Sequence, residues 1–424
     1  MTGMKMRMTP NNRLVITGMG AVTPIGIGVE DYWNNLTAGK CGVEKITRFD
    51  TTDLPVKIAA EVKGFKAEKY MPKKLTREMD IFMQYGYAAA MEAIEQAGEP
   101  AAAPDRMGIV VGTALGGISP IAETQDGISR GEHKKVSPRF VPKIIGNEAS
   151  AQVAIAKGYR GPSLTVSTAC SSGGDAISTA CMILMSGQAD AVLAMGTESA
   201  LSPLFIRGLV SAHALSTNNE DPQGASRPFD RDRDGFVIGE GGGALIIETE
   251  ENAKKRGAVI LAELAGFSNC TDGYHVTSPH PEGIGAIFCM EKAIEHAGLS
   301  PEDIDYINTH GTSTGVGDPI ETNAIAELFG EHAKEMAVTS TKGATGHMMG
   351  AGGITEAITC IQCIRSGVIP PTLNLVNLDE TCAPLNYVPE KAQDMKVRTA
   401  MSNSFGFGGQ NSSVIFCEYI SSEE

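Results

Sequence analysis

The sequence predicts an α/β protein built from a duplicated unit, and two observations carry that prediction. Apolar strand-like runs alternate with helical patterns along the chain: "RLVITGMG", "RMGIVVGT", "LTVST", "AVLAMG", "GGALIIE", "VILAELAGFS", "DYINTHG" and "MAVTSTK". The chain also echoes itself. "AIEQAG" at 93–98 returns as "AIEHAG" at 293–298, and "VSTACSS…DAIS" returns, in the same order, as "VTSTKGA…EAIT".

Each element has a local reason. The opening "MTGMKMRMTPNNR" holds Lys5 and Arg7 but no apolar run, so neither a signal peptide nor a membrane span is expected there. Met83, Tyr87, Ala90, Met91 and Ile94 recur at helical spacing, which predicts a helix over 80–97 closed by Gly98. The stretch 284–297, closed by Gly298, is its counterpart. Each is followed by an Asp (Asp105, Asp305) and by a strand running into Gly-Thr (Gly112-Thr113, Gly311-Thr312). The second echo starts as a strand, turns sharply, and continues as a helix ending in Ser-Gly (Ser186-Gly187, Ser366-Gly367). "ETEENAKKRGA" ends one pattern before the next begins, so the halves join near 250–258 and are read as 1–255 and 256–424.

Composition narrows the possible partners. Of 424 residues, 42% are hydrophobic and 20% charged, as in folded proteins too long for one ordinary domain. The net charge of −15 argues against nucleic acid as the main partner, because phosphate binding needs an excess of Lys and Arg. Two basic patches interrupt the acidic chain: residues 57–77, with Lys73 and Lys74, and residues 130–143, with Lys134 and Lys135. Taken alone, each reads as a solvated face. The nine cysteines are scattered and odd in number, as suits reduced thiols in a cytoplasmic protein. Cys360-x-x-Cys363 lies in a helical pattern with no second pair nearby and reads as core packing rather than a metal or redox site.

Equivalent strand-end loops of two related halves converge on one cleft. Cys170 occupies the strand-to-helix turn of the first half, and Lys342 and His347 the equivalent turn of the second. His310 ends another strand, in "NTHGTSTGVGDPIE". A cysteine at a helix start feels the positive end of the macrodipole and free N–H groups, which lower its pKa and favour thiolate. Beside it, histidines offer either a base for the thiol or N–H donors for an oxyanion or enolate. "SFGFGGQN" at 404–411 is a glycine-rich turn whose backbone N–H groups suit an anion. No dinucleotide fingerprint and no phosphate-binding P-loop are present.

These motifs resemble the β-ketoacyl-acyl carrier protein synthases, specifically the elongating (type II) ketoacyl synthases of bacterial fatty acid synthesis. The resemblance runs from "RLVITGMGAVTPIG" at 13–26 to "GGQNSSVIF" at 408–416 and includes "STACSSG", "HGTST", "TKGATGH" and "NSFGFGGQN". It implies the thiolase fold, with two duplicated α/β halves in a five-layer α-β-α-β-α arrangement, and a homodimer paired through the nucleophile-bearing halves. It implies Cys170 as the nucleophile that takes the acyl chain, and His310 and His347 as the pair that promotes malonyl decarboxylation. Lys342 would hold the histidine geometry together with Glu321. The backbone N–H groups of Cys170 and Phe407 would form the oxyanion hole. Phe407, with Phe405 behind it, would be the gate, Leu115 the floor of the acyl pocket, and Thr312 and Thr314 the phosphopantetheine contacts. No cofactor and no metal are implied, although relatives sometimes carry a monovalent cation near positions such as Glu356 and Asn403. The partner implied is acyl carrier protein, acyl- or malonyl-loaded. It is small and acidic, which turns Lys73, Lys74, Lys134 and Lys135 into candidate docking residues.

Three features depart from relatives: Gly315-Val316, Gly343-Ala344, and His213 where relatives often carry Arg. A thiolase would need a C-terminal Cys-x-Gly motif, and an initiating synthase would carry Asn in place of His347. A type II polyketide ketosynthase shares the catalytic residues and stays open. A non-catalytic chain-length-factor-like partner would lack Cys170.

Overall fold

Strands buried on both faces read as continuous apolar runs, and most of the ten main strands at the core of the molecule are of this kind, the largely exposed Ser163–Val166 strand being an exception. The computed structural model describes residues 13–99, 101–132 and 136–421. The first half supplies β1 (Leu14–Thr23), β2 (Met107–Gly112), β3 (Ser163–Val166), β4 (Ala191–Glu198) and β5 (Gly241–Thr249). The second supplies β6 (Ala262–Thr271), β7 (Tyr306–Asn308), β8 (Ala337–Thr339), β9 (Thr399–Gly406) and β10 (Gln410–Cys417). The sheet order is β3-β2-β4-β5-β1-β6-β10-β9-β7-β8, with the short Gly26–Ile27 strand pairing beside β1.

That order is the duplication made visible. Counted within each half, both sheets run third, second, fourth, fifth, first. In both, the second strand is parallel to its two neighbours and the last two pairings are antiparallel. The halves meet where β1 pairs antiparallel with β6, Leu14 opposite Leu264. The chain crosses between them through the short helix Glu250–Lys255.

Five helices complete the layers. α1 (Ile81–Ala97) covers the outer face of the first sheet, and α3 (Ile284–Ala297) and α4 (Gly317–Phe329) cover that of the second. α2 (Ser172–Met185) and α5 (Gly352–Ser366) lie between the sheets and touch strands of both. This is the α-β-α-β-α layering of the thiolase fold. The echoed helix ends are real caps: Gly98 and Gly298 close α1 and α3 at φ +76° and +71°. Cys360 and Cys363 are buried core residues of α5. Lys134 and Lys135 lie outside the described residues. Among the described residues, no helix is long and apolar enough to cross a membrane.

The two central helices approach through glycine. A Cβ at Gly353 of α5 would sit 2.5 Å from Gly174 N in α2, and one at Gly173 would sit 2.9 Å from Gly350 O. Only a missing side chain permits that spacing. Gly353→Ala is therefore expected to destabilise the fold by about 1–3 kcal/mol through overpacking and to depress activity by parting the two helix starts. Thermal unfolding beside an activity assay checks this, and an unchanged melting temperature would show that the crossing is slack.

Candidate active site

The helix crossing brings two turns face to face. Cys170 sits in the 3-10 turn Ala169–Ser171 between β3 and α2. His347 lies in the equivalent connection between β8 and α5, after the helical turn Lys342–Thr345. His347 Nε2 is 3.0 Å from Cys170 Sγ. His310 follows β7, and its ring stands nearly perpendicular to that of His347, with centroids 5.3 Å apart. The sulfur and one nitrogen of each ring lie within 4.8 Å of one another. The predicted convergence of strand-end loops is thus met by geometry.

Burial sets the charge states. It drives both histidines well below the usual imidazole pKa, and the charge on Lys342 pushes them the same way. Both rings are therefore neutral at physiological pH. Their Nδ1 atoms are buried and, among the described residues, have no hydrogen-bond partner.

The thiol departs from the sequence expectation. Burial pushes Cys170 up to about 11, against the lowering effects of the Phe407 and Cys170 backbone N–H groups and of Lys342. The helix start does help the thiolate, but desolvation outweighs it, so the resting group is a thiol. The same two N–H groups that bear on the sulfur are those expected to form an oxyanion hole.

The acidic partners also differ from expectation. Lys342 Nζ is hydrogen-bonded to Glu356, not to Glu321, and both members of the pair are buried. Glu321 instead accepts the backbone N–H groups of His310 and Gly311, each at 2.8 Å, and burial raises it to about 7. It fixes the His310 loop through the main chain rather than through Lys342. Sequence reasoning missed Glu198. This fully buried carboxylate accepts Thr113 Oγ1 and the N–H groups of Ala114, Leu115 and Gly350, tying the first half's loop to the segment just after His347. An acid closing an otherwise apolar strand, in "AVLAMGTE", was the available signal.

One cavity of about 560 Å³ holds the remaining candidates. Leu115, Phe405, Phe407, Thr312 and Thr314 line it together with Cys170 and both histidines, and His213 lies on its wall. The Thr312 and Thr314 hydroxyls are 3.2 Å apart. Phe407 sits in the β9–β10 turn, where Gly408 and Gly409 have φ +87° and +69°, and the Phe405 ring lies tilted to that of His310, with centroids 6.1 Å apart. One thiol and two imidazoles are a donor set that zinc accepts. The neighbouring Lys342 charge opposes a cation there and favours an anion. Lys73 and Lys74 are exposed on the helix Lys73–Glu78, well outside the cavity lining.

A thiol near pKa 11 has a testable signature. Alkylation of Cys170 by iodoacetamide should rise roughly tenfold per pH unit from pH 7 to 10, tracking the thiolate fraction. A rate that levels off near pH 7 would restore the helix-lowered thiolate.

Comparison with known proteins agrees with this geometry. Residues 11–253 match the family Beta-ketoacyl synthase, N-terminal domain, and residues 261–376 match Beta-ketoacyl synthase, C-terminal domain. The chain is 45% identical over 406 residues to 3-oxoacyl-[acyl-carrier-protein] synthase 2 of Coxiella burnetii, covering 95% of this chain and 98% of that protein. It superposes on a β-ketoacyl synthase from Burkholderia phymatum with TM-score 0.89 and 34% identity, covering 96% and 100% of the two chains. A type II polyketide ketosynthase, solved with its acyl-carrier protein and bound to the hexaketide, gives 0.86 at 31% identity, covering 97% and 100%. With both family domains matched in order over most of its length, the chain belongs to the beta-ketoacyl synthase family.

Proposed function

We propose that this protein elongates fatty acyl chains by two carbons, condensing malonyl-acyl carrier protein with an acyl group held on Cys170. The observation that carries this is the 3.0 Å approach of Cys170 Sγ to His347 Nε2 in a cavity that also presents His310 and two backbone N–H groups. Near-full-length identity to a 3-oxoacyl-[acyl-carrier-protein] synthase 2 supports the fatty acyl reading. The type II polyketide ketosynthase supports a second reading, a related condensation on a polyketide chain, at lower identity.

The chemistry follows in two stages. Sγ attacks the carrier's thioester carbonyl, the carbon–sulfur bond to the carrier breaks, and the thiol proton ends on the departing pantetheine thiol. The Cys170 and Phe407 N–H groups face the oxygen that becomes negative. Loss of such a donor costs about 3–4 kcal/mol in related chemistry. Malonyl thioester then binds with its carbonyl toward the Nε2–H groups of His310 and His347. Carbon dioxide leaves, and the electron pair of the broken bond becomes an enolate that these neutral donors stabilise. Its carbon attacks the Cys170 thioester and expels the sulfur as thiolate, which takes a proton from water. Transfer of that proton to His347 in the resting enzyme is disfavoured, since burial and Lys342 both oppose an imidazolium. Lys342, held by Glu356, sets the local charge, and Glu321 fixes the His310 loop. Phe407 and Phe405 gate the acyl pocket, Leu115 floors it, and Thr312 and Thr314 hold the pantetheine.

His347→Ala should therefore lose malonyl decarboxylation by roughly 10²–10³-fold while still acylating at Cys170. His310→Ala should behave similarly, and Cys170→Ala should never acylate. Intact-protein mass after acyl-carrier protein, beside carbon dioxide release from malonyl-carrier protein, reads both halves. An enzyme lacking His347 that decarboxylates normally but fails to acylate would make the histidine the thiol's base.

The carrier is proposed to dock on the exposed lysines of helix Lys73–Glu78; among the described residues, neither Lys73 nor Lys74 forms an ion pair. Lys134 and Lys135 are proposed to join them. Charge reversal at Lys73 and Lys74 should raise KM for carrier-bound substrates and spare small thioesters. Equal losses on both would make these lysines structural.

A homodimer and a cytoplasmic location complete the reading, with residues 1–255 and 256–424 as its two halves. β3 ends the sheet with an open edge, its Ser163, Leu164 and Thr165 are exposed, and Met182, Val141 and Ile145 present apolar surface. Such an edge is a template for a second copy. Light scattering should give twice the chain mass, and Leu164→Lys should reduce it to one. All nine cysteines are free thiols, as a reducing compartment allows.

A further inference from the structure

The stretch that carries the nucleophile also holds a buried acid with no task in the scheme above. Asp175 lies in the first turn of α2, and its Oδ2 accepts Thr168 Oγ1–H at 2.6 Å and Ser171 Oγ–H at 3.0 Å. Those two hydroxyls bracket the Ala169–Cys170 pair. One carboxylate oxygen therefore grips the nucleophile's turn from both sides.

The turn has reason to need a grip. Ala169 has φ +52°, in the left-handed region that a residue with a Cβ avoids. Such conformations persist only where surrounding contacts over-determine them. Here the Ser171 hydroxyl also lies 2.8 Å from Thr168 O, while Ser172 Oγ accepts Thr168 N–H at 2.9 Å and donates to Ala169 O at 2.7 Å. Among the described residues, Asp175 is the only charged group in this web. It is not itself one of the residues lining the cavity.

We propose that Asp175 is a positioning residue for the nucleophile, holding the Ala169–Cys170 turn through Thr168 and Ser171 so that Sγ and the Cys170 N–H face the acyl carbonyl. The proposal rests on acyl transfer to Cys170. It concerns only the thiol's half of the reaction, because the enolate half is organised by His310 and His347, which stand on two loops of the second half. A clamp of this kind acts by orientation, and a displacement near 1 Å costs up to about a hundredfold in rate.

The test is a comparison of half-reactions in the purified full chain. Asp175→Ala should slow acylation by acyl-carrier protein roughly tenfold to a hundredfold at unchanged KM, with malonyl decarboxylation kept within about twofold. Asp175→Asn, which retains an acceptor oxygen, should recover most of the rate. Thr168→Val removes one arm without emptying the site and should reproduce part of the loss if the alanine variant folds poorly. Iodoacetamide alkylation of Cys170 at fixed pH should shift several-fold in the same variants. It reads the turn without any acyl substrate, so a wild-type chain that fails to acylate overturns the proposed reaction, not the clamp. Equal loss of both half-reactions, or unchanged acylation and alkylation in the variants, would overturn the clamp.

Discussion

The crossing of α2 and α5 through their glycines is the constraint on which the site depends. With Gly173 and Gly174 against Gly350 and Gly353, the backbones of the two central helices come closer than any side chain would allow. Each helix begins where a strand of its own half turns, so a close crossing places those two turns within bonding distance. Cys170 and His347 come from opposite halves of the sequence, yet their side chains meet at 3.0 Å. The duplicated unit makes this possible: one copy of the strand–turn–helix carries Cys170, and the other carries His347.

Burial then decides what those groups can do. Desolvation favours the neutral forms, and the thiol and both imidazoles are pushed toward them. A neutral site suits a reaction whose charges appear only in transit, first on a thioester oxygen and then on an enolate. Fixed dipoles aimed at those positions stabilise them without reorganisation. Lys342 and Glu356 form the buried ion pair behind the histidines. The lysine's charge keeps the imidazoles from protonating, and the carboxylate keeps that lysine tolerable in the interior.

Much of this was legible in the residues. The helix ends "AIEQAG" and "AIEHAG" returned as positive-φ glycine caps of matching helices, and the paired "STAC" and "STKG" turns returned as neighbours in space. Repetition is readable because both copies keep the same punctuation. The thiol's pKa was not legible, because a helix start can be recognised in sequence whereas the desolvation opposing it depends on what closes over the turn. The partner of Lys342 was likewise hidden: Glu321 and Glu356 both lie on helices near the site, and only the fold shows which reaches the ammonium. Glu198 closes a strand in the sequence, and only the fold brings four donors around it.

The central claim is that one thiol and its facing imidazoles serve both stages at a single centre. Single-turnover mixing of preformed Cys170 acyl-enzyme with malonyl-carrier protein tests it most directly. The acyl adduct should disappear and carbon dioxide should appear with one rate constant, one equivalent of each, as a product two carbons longer forms. Carbon dioxide released in excess of the adduct consumed, or adduct lost to water without a longer product, would contradict it.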